Sequence, residues 1–356
     1  MSQAKTVFLT GASGFIALHI TNQLLSRGYH VIGTVRSQSK ADNIINNFKA
    51  IYPDVESKLS FEIVPDISEP TAFDSALQAH PEIQFVLHTA SPFSFGLDKG
   101  LDEGYLIPAT QGTKNILTAV KKYAPQVTNV VVTSSFASIM NFAAHGDSSF
   151  VHTEETWNPM EREHATDEIT AYIISKKLAE KVAWEFVETE KPNFKLTTVT
   201  PPYVLGPQMF EDSLANKTLN TSAEIVNSLL SLPADYSEQV KEPLGTSVDV
   251  RDVALLHILP LENPQLAGQR LFPTQANFIG QSILNIIHKE FPELDGKVGK
   301  GQPEGAEEYA VKAGLHCDTS KTLQRTGIKA WIPLETTVKD SVAQILHYKK
   351  EHPEQA

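Results

Sequence analysis

The 356-residue chain has a single cysteine, Cys317. No intramolecular disulfide can form, and a lone thiol suits a reducing compartment. No apolar run reaches the ~18 residues that cross a bilayer as a helix, so no membrane partner is expected. Basic residues are the scarcer charge. Thirty Lys plus Arg stand against 42 Asp plus Glu, for a formal net charge of −12. A general nucleic-acid binder needs a basic surface to displace phosphate counterions, so that class is set aside. A local basic pocket for one phosphate is not. The 12 histidines include no His-Glu-x-x-His and no clustered Cys/His spacing. No metal site is expected, and the histidines are assigned mainly to surface and loops. A phosphate-binding Gly-x-x-x-x-Gly-Lys-Ser/Thr loop and a Gly-x-Ser-x-Gly elbow are also missing, which leaves nucleotide hydrolysis and α/β-hydrolase chemistry unsupported. No secretory or transit signal precedes the strand-like run Lys5–Thr10, so the expected location is cytoplasmic.

What is present is an alternation. Short β-branched runs occur at Val7–Thr10, Val31–Val35, Leu59–Val64, Phe85–His88 and Asn129–Thr133. Amphipathic stretches separate them at Phe15–Arg27, Lys40–Ile51, Ala72–Ala79 and Thr110–Tyr123. A further helix (Ile169–Glu190) and strand (Lys195–Thr200) continue the series. Parallel strands need crossovers of a dozen or more residues, and right-handed crossovers put helices on both faces. The fold class is therefore α/β, a Rossmann-type doubly wound parallel sheet. After Pro201 prolines multiply and strand signals become sparse. Residues 1–200 are assigned to a nucleotide-binding domain and 201–356 to a smaller, mostly helical substrate lobe. Residues 246–260 are the stretch that can pack back onto the sheet.

The first strand ends in Thr10-Gly11-Ala12-Ser13-Gly14-Phe15-Ile16-Ala17. Gly11 suits a tight turn, and Gly14 lets backbone approach a pyrophosphate at a helix N-terminus. A unit that binds NAD usually carries an acid at the end of the second strand. Here the segment reads Thr34-Val35-Arg36-Ser37-Gln38-Ser39-Lys40. A guanidinium grips a 2′-phosphate where a carboxylate would repel it. Arg36, with Lys40 one turn on, argues for NADPH over NADH.

Tyr172 and Lys176 stand four residues apart on the Ile169–Glu190 helix, so their side chains share a face. An ammonium beside a phenol favours the phenolate and makes the tyrosine a usable proton donor. The fifth strand ends in Thr133-Ser134-Ser135. In a doubly wound sheet ligands sit beyond the carboxyl ends of the strands. Either serine can donate to a substrate carbonyl there, completing an oxyanion-type donor pair with the tyrosine.

These features, with Leu87-His88-Thr89-Ala90-Ser91-Pro92-Phe93, Tyr203-Val204-Leu205-Gly206-Pro207 and Asp249-Val250-Arg251-Asp252, resemble the extended short-chain dehydrogenases/reductases. Within that family the chain is most similar to the group of yeast NADPH-dependent methylglyoxal/3-methylbutanal reductases and fungal carbonyl reductases, the dihydroflavonol-reductase-like group. The resemblance runs over nearly the whole chain. It implies a catalytic trio of Ser135, Tyr172 and Lys176, with Ser135 chosen because the family's serine is second in the pair. It implies that Gly11, Ala12, Ser13, Gly14, Phe15 and Ile16 wrap the pyrophosphate, and that Asp66 and Ile67 flank the adenine. Val204 and Ser222 match cofactor-touching positions. Phe93, Phe136 and Tyr203 match the substrate pocket. Thr200 departs from the family's usual Asn, and Phe136 from a frequent Tyr. Asn115 is read as a structural helix residue.

The resulting expectation is an NADPH-dependent reductase of small aldehydes and ketones, acting as a monomer or homodimer. Two other readings use the same fold. A sugar-nucleotide epimerase or dehydratase would favour an acid where Arg36 stands. A non-catalytic NADP sensor would not need the Tyr172–Lys176 pair.

Overall fold

The computed structural model describes residues 5–91, 96, 100–216 and 219–353. The chain forms two compact units. The first comprises residues 1–141, 154–200 and 254–272, and the second residues 142–153, 201–253 and 273–356. The division is thus not a single cut after Thr200. Of the stretch 246–260, residues 246–253 belong to the second unit and 254–260 to the first.

The first unit is built on seven parallel strands. β1 (Thr6–Thr10), β2 (His30–Val35), β3 (Leu59–Ile63), β4 (Ile83–His88) and β5 (Asn129–Thr133) are followed by Lys195–Val199 and Arg270–Leu271. From one edge the order is Arg270–Leu271, Lys195–Val199, β5, β4, β1, β2, β3. The order reverses between β1 and β4, where a doubly wound sheet opens its ligand crevice. α1 (Phe15–Ser26), α2 (Gln38–Ile51), α3 (Asp74–Ala79), α4 (Ile107–Tyr123) and α5 (Glu168–Glu190) make the crossovers. All five residues of β1 are buried, as expected for a strand covered on both faces. Phe8, Val86, Ile116, Val130 and Phe186 belong to one core cluster that joins sheet to helices. Asp167 caps α5 by accepting from the Thr170 amide at 2.8 Å.

The second unit holds the helices expected after Pro201, among them Gly280–Glu290 and Leu334–Glu351. It also holds a three-stranded sheet, Ala276–Phe278 antiparallel to Gly245–Asp249, which runs parallel to Tyr203–Leu205. Strands of three to five residues leave little alternation to read in the sequence. Phe278, Ile283, Val338 and Val342 share this unit's core. His152 and His257 are fully buried, and His19 and His88 nearly so, so these four depart from the surface assignment.

Candidate active site

Two sets of residues meet at the carboxyl ends of the strands of the first unit. The outer set forms a groove of about 660 Å³ lined by the loops after β1, β2, β3 and β4. Gly11 has φ +66°, and a Cβ there would stand 2.8 Å from the Ala90 backbone. The turn therefore requires glycine, for conformation and for space. Gly14 is the N-cap of α1, which has no side-chain cap and no acid in its first turn. Such a terminus offers amide donors and partial positive charge to an anion. Ser13 and Gly14 are exposed at the turn, Phe15 and Ile16 are half-buried, and Ala12 is buried with its amide donating to the Thr34 carbonyl at 2.9 Å.

Arg36 and Lys40 are exposed and line the same groove, as do Asp66 and Ile67. The Asp66 carboxylate accepts from the Ser68 amide at 2.8 Å and the Ser68 hydroxyl at 2.6 Å. Asn115, buried in α4, donates to the carbonyls of Ile67 and Glu69 at 2.9 and 2.7 Å. Its role is to pin that wall of the groove, in keeping with a structural residue. An uncapped helix end, a glycine turn and two cations on one lining fit a dinucleotide that carries an extra phosphate.

The inner set lies behind Ser91, which also lines the groove. Lys176 is 7% exposed. Its ammonium donates to Ser91 Oγ at 3.5 Å and to the Thr133 carbonyl at 3.3 Å. Burial pulls its pKa down to about 8, against a smaller upward pull from Glu180. Tyr172, one helical turn earlier, is half-buried and packs against the cluster of Tyr105, Leu106, Ala171 and Ile174. His88, at the end of β4, is held neutral. Burial, and then the Lys176 charge, push its pKa down to about 3. Its Nδ1 lies 2.8 Å from Thr10 Oγ1, which also accepts from the Ala90 amide at 3.1 Å. That bond leaves the Thr10 hydroxyl its proton, which a neutral His88 with an unprotonated Nδ1 can accept.

The two serines have different surroundings. Ser134 is buried and donates to Glu180 Oε2 at 2.5 Å. Ser135 is half-buried and caps the 3₁₀ turn Phe136–Ser138, its oxygen accepting from the Ala137 amide at 3.1 Å. That bond leaves the Ser135 O–H as a donor, whereas the Ser134 O–H is committed to Glu180. The geometry thus separates two serines that the bare sequence leaves equivalent.

Sequence reasoning missed the carboxylate itself. Glu180 is 1% exposed, on α5 one turn beyond Lys176. It accepts from Ser134, from Ser138 at 2.5 Å, from Thr198 at 2.8 Å and from Trp184 at 3.2 Å. Arg270 donates to it through Nε at 2.7 Å and Nη2 at 3.0 Å. The Arg270 guanidinium also lies 3.9 Å from the centre of the Trp157 ring. Burial opposes ionisation of Glu180, but Arg270 and the two serines outweigh it and hold the carboxyl below its usual range. Removing one partner of such a pair costs about 3–5 kcal/mol, because the other charge stays buried. The available signal was an acid spaced four and eight residues from Lys176 and Tyr172, hence on their face.

The remaining sequence-predicted residues are placed as follows. Phe136 is buried and stacks on Phe272 with centroids 5.2 Å apart. Within the second unit, Val204 is buried, Ser222 is half-buried on the helix Thr221–Leu229, and Tyr203 packs edge-on against Phe278 at 5.7 Å. Phe93 lies outside the described residues. Thr200 is buried and donates to the Leu271 carbonyl at 3.0 Å. Among the described residues no group of His, Cys, Asp and Glu could hold a metal ion.

Residues 7–271 match the NAD dependent epimerase/dehydratase family. The chain belongs to that family, the extended short-chain dehydrogenases/reductases. Its relatives include the NADPH-dependent methylglyoxal reductase GRE2 of Saccharomyces cerevisiae, 43% identical over 350 residues, spanning 97% of this chain and 99% of that protein. The ketoreductase azaE of Aspergillus niger is 35% identical over 97% of this chain and 98% of its own length. Among solved structures, the yeast methylglyoxal/isovaleraldehyde reductase Gre2 complexed with NADPH superimposes with a TM-score of 0.90. It is 42% identical and covers 97% of this chain and 99% of that one. The family membership and this superposition agree with the doubly wound α/β fold expected from the strand and helix alternation.

Proposed function

We propose that the chain is an NADPH-dependent carbonyl reductase that converts small aldehydes and ketones to alcohols. End-to-end similarity to enzymes named for NADPH and for methylglyoxal, isovaleraldehyde or keto substrates supports the reaction class. The observation that carries it to this chain is the bond from Lys176 to Ser91. It links the helix of Tyr172 to the groove of the glycine turn.

In this reading Gly11 to Ile16 and the α1 N-terminus hold the pyrophosphate, and Arg36 with Lys40 holds the 2′-phosphate. Asp66 and Ile67 border the adenine, and Val204 and Ser222 complete the cofactor contacts. NADPH, when bound, supplies the hydride. Ser135 donates to the substrate carbonyl oxygen and holds it in place. Tyr172 donates to the same oxygen and gives up its phenolic proton as the alcohol forms. Lys176 stabilises the phenolate left behind. Phe93, Phe136 and Tyr203 supply apolar pocket walls. The enzyme is a cytoplasmic monomer or homodimer. Arg36, at the place where an epimerase favours an acid, argues against the sugar-nucleotide reading.

The test is consumption of NADPH against NADH by purified protein. The panel is methylglyoxal, 3-methylbutanal, a β-keto ester and an aryl ketone. Turnover with NADPH and little with NADH is expected. Cofactor binding without turnover on any carbonyl would overturn the assignment in favour of a sensor.

A further inference from the structure

Glu180 bonds the serine half of the inner site, acts on Lys176 through its charge, and does not line the groove. Through Ser134 and Ser138 it grips the peptide on either side of Ser135. Through Thr198 it ties that peptide to the neighbouring strand end. Asn158 completes the clamp, donating its side chain to the Ala137 carbonyl at 2.8 Å and its amide to the Ser138 carbonyl at 2.9 Å. On α5 the same carboxylate lies one turn beyond Lys176. An acid in this position costs desolvation, which Arg270 offsets with two direct bonds. A hydrophobic pair would fill the same space at less cost, so the charge calls for a role beyond packing.

We propose that Glu180, paired with Arg270, is a positioning residue for carbonyl reduction. One buried carboxylate fixes the peptide that presents the Ser135 hydroxyl and sustains the positive charge of Lys176. The inference rests on the reading of Ser135 and Lys176 given above. The groups around Lys176 fit it. His88, from β4, is neutral, and Ser91 and the Thr133 carbonyl carry no charge. Tyr172 on α5 is the partner Lys176 serves. Glu180 is then the anion that opposes the desolvation of the ammonium.

The double variant Glu180→Gln/Arg270→Met removes both charges and avoids stranding either one. In it, NADPH affinity by fluorescence titration stays within about twofold, because neither residue lines the groove. kcat falls about tenfold to a hundredfold from misplacement of the donors. Lys176 is followed without turnover by NMR of ¹³Cε-lysine protein, its resonance identified by loss in Lys176→Arg. It titrates near pH 8 in the cofactor-free wild type and at lower pH in the double variant. Amide exchange of residues 134–138 rises. A purely structural pair would lower kcat only along with folding and leave the Lys176 titration in place. A folded double variant with wild-type kcat and Lys176 titration overturns the proposal. If that variant does not fold, Ser134→Ala decides. Removing one arm of the clamp lowers kcat severalfold and raises exchange at Ser135, while Lys176 titrates as before. Wild-type values in both readouts overturn the proposal there. Absence of turnover in the wild type would instead sink the reductase reading, and the NMR and exchange results would still judge the pair.

Discussion

The groove around the glycine turn and the cluster behind Ser135 belong to one α/β unit but are built in opposite ways. The groove is open and cationic. Arg36 and Lys40 stand in solvent, and the anion site proposed there is backbone at an uncapped helix end. The cluster is closed. Lys176, Glu180 and Arg270 are each less than a tenth exposed, and nearly every polar atom there has a protein partner. Binding in the groove can tolerate mobile side chains, because long-range charge and amide donors do the work. Proton transfer cannot, because its donors must be held at fixed positions before the substrate arrives. The contrast predicts that changes in the groove alter affinity, whereas changes in the cluster alter turnover.

The sharpest way to break that contrast is Tyr172→Phe. If Tyr172 is the proton donor proposed above, its loss should lower kcat about 10²- to 10⁴-fold, the usual worth of a positioned acid. NADPH binding should change by no more than about twofold. Near-normal turnover measured by NADPH consumption would remove Tyr172 from the chemistry. Gly11→Ala should do the reverse. Its methyl would meet Ala90 backbone at 2.8 Å in a left-handed conformation. The strain costs about 1–3 kcal/mol and is relieved only by moving the turn. NADPH affinity should drop more than tenfold, with a lower melting temperature. Unchanged affinity by calorimetry would mean that the turn is not the pyrophosphate site.

The same contrast explains which features were legible in the sequence. The strands and helices of the first unit announce themselves because buried parallel strands are apolar runs and the crossovers are amphipathic. The pattern places the first helix over Phe15–Arg27, and the helix spans Phe15–Ser26. Gly11, Gly14 and Arg36 are legible because a turn, a helix start and a strand end fix their roles locally. Glu180 is not, since a glutamate on a helix ordinarily reads as a solvated face. Its partner Arg270 is 90 residues away, on a two-residue strand after a proline-rich stretch. His88 reads as the last residue of an apolar strand, and only the packing shows that it must stay neutral. The small sheet of the second unit escaped because Tyr203–Leu205 and Ala276–Phe278 are three residues each.

Arg36→Ala sharpens the groove side at a smaller scale. A charge-assisted bond is worth about 1.5–3 kcal/mol, the upper end being unattainable for an exposed side chain. The preference for NADPH over NADH, taken as the ratio of kcat/KM values, should fall about tenfold, with the loss confined to NADPH. An equal loss with both cofactors would place Arg36 on a part they share. Lys40→Ala should lower the preference by less, since an ammonium offers a point charge instead of a fork.

The remaining prediction concerns stability instead of turnover, and His88 supplies it. Its folded pKa is about 3 against an ordinary 6.5. Between those values the unfolded chain binds a proton that the folded chain refuses, so stability falls as pH drops through this window. At pH 5 the loss is about 2 kcal/mol from this group alone. Other groups act in the same range. His152 is also held down by burial and adds to the loss. Asp252 is pushed up to about 6 by burial and gains a proton on folding, which opposes it. His80, raised by Glu62 and Glu82 against its burial, opposes it too. The wild-type curve is therefore a sum, and the variant His88→Asn isolates one member. Its amide oxygen can take the Thr10 hydroxyl, and it cannot titrate. The difference between wild-type and variant unfolding free energies, measured in urea at pH 7 and again at pH 5, should narrow by about 2 kcal/mol. A difference that does not change with pH would mean that His88 takes up a proton in the fold as readily as in the unfolded chain. At pH 5 it would then be a second cation beside Lys176, and the neutral surroundings of that ammonium would be lost.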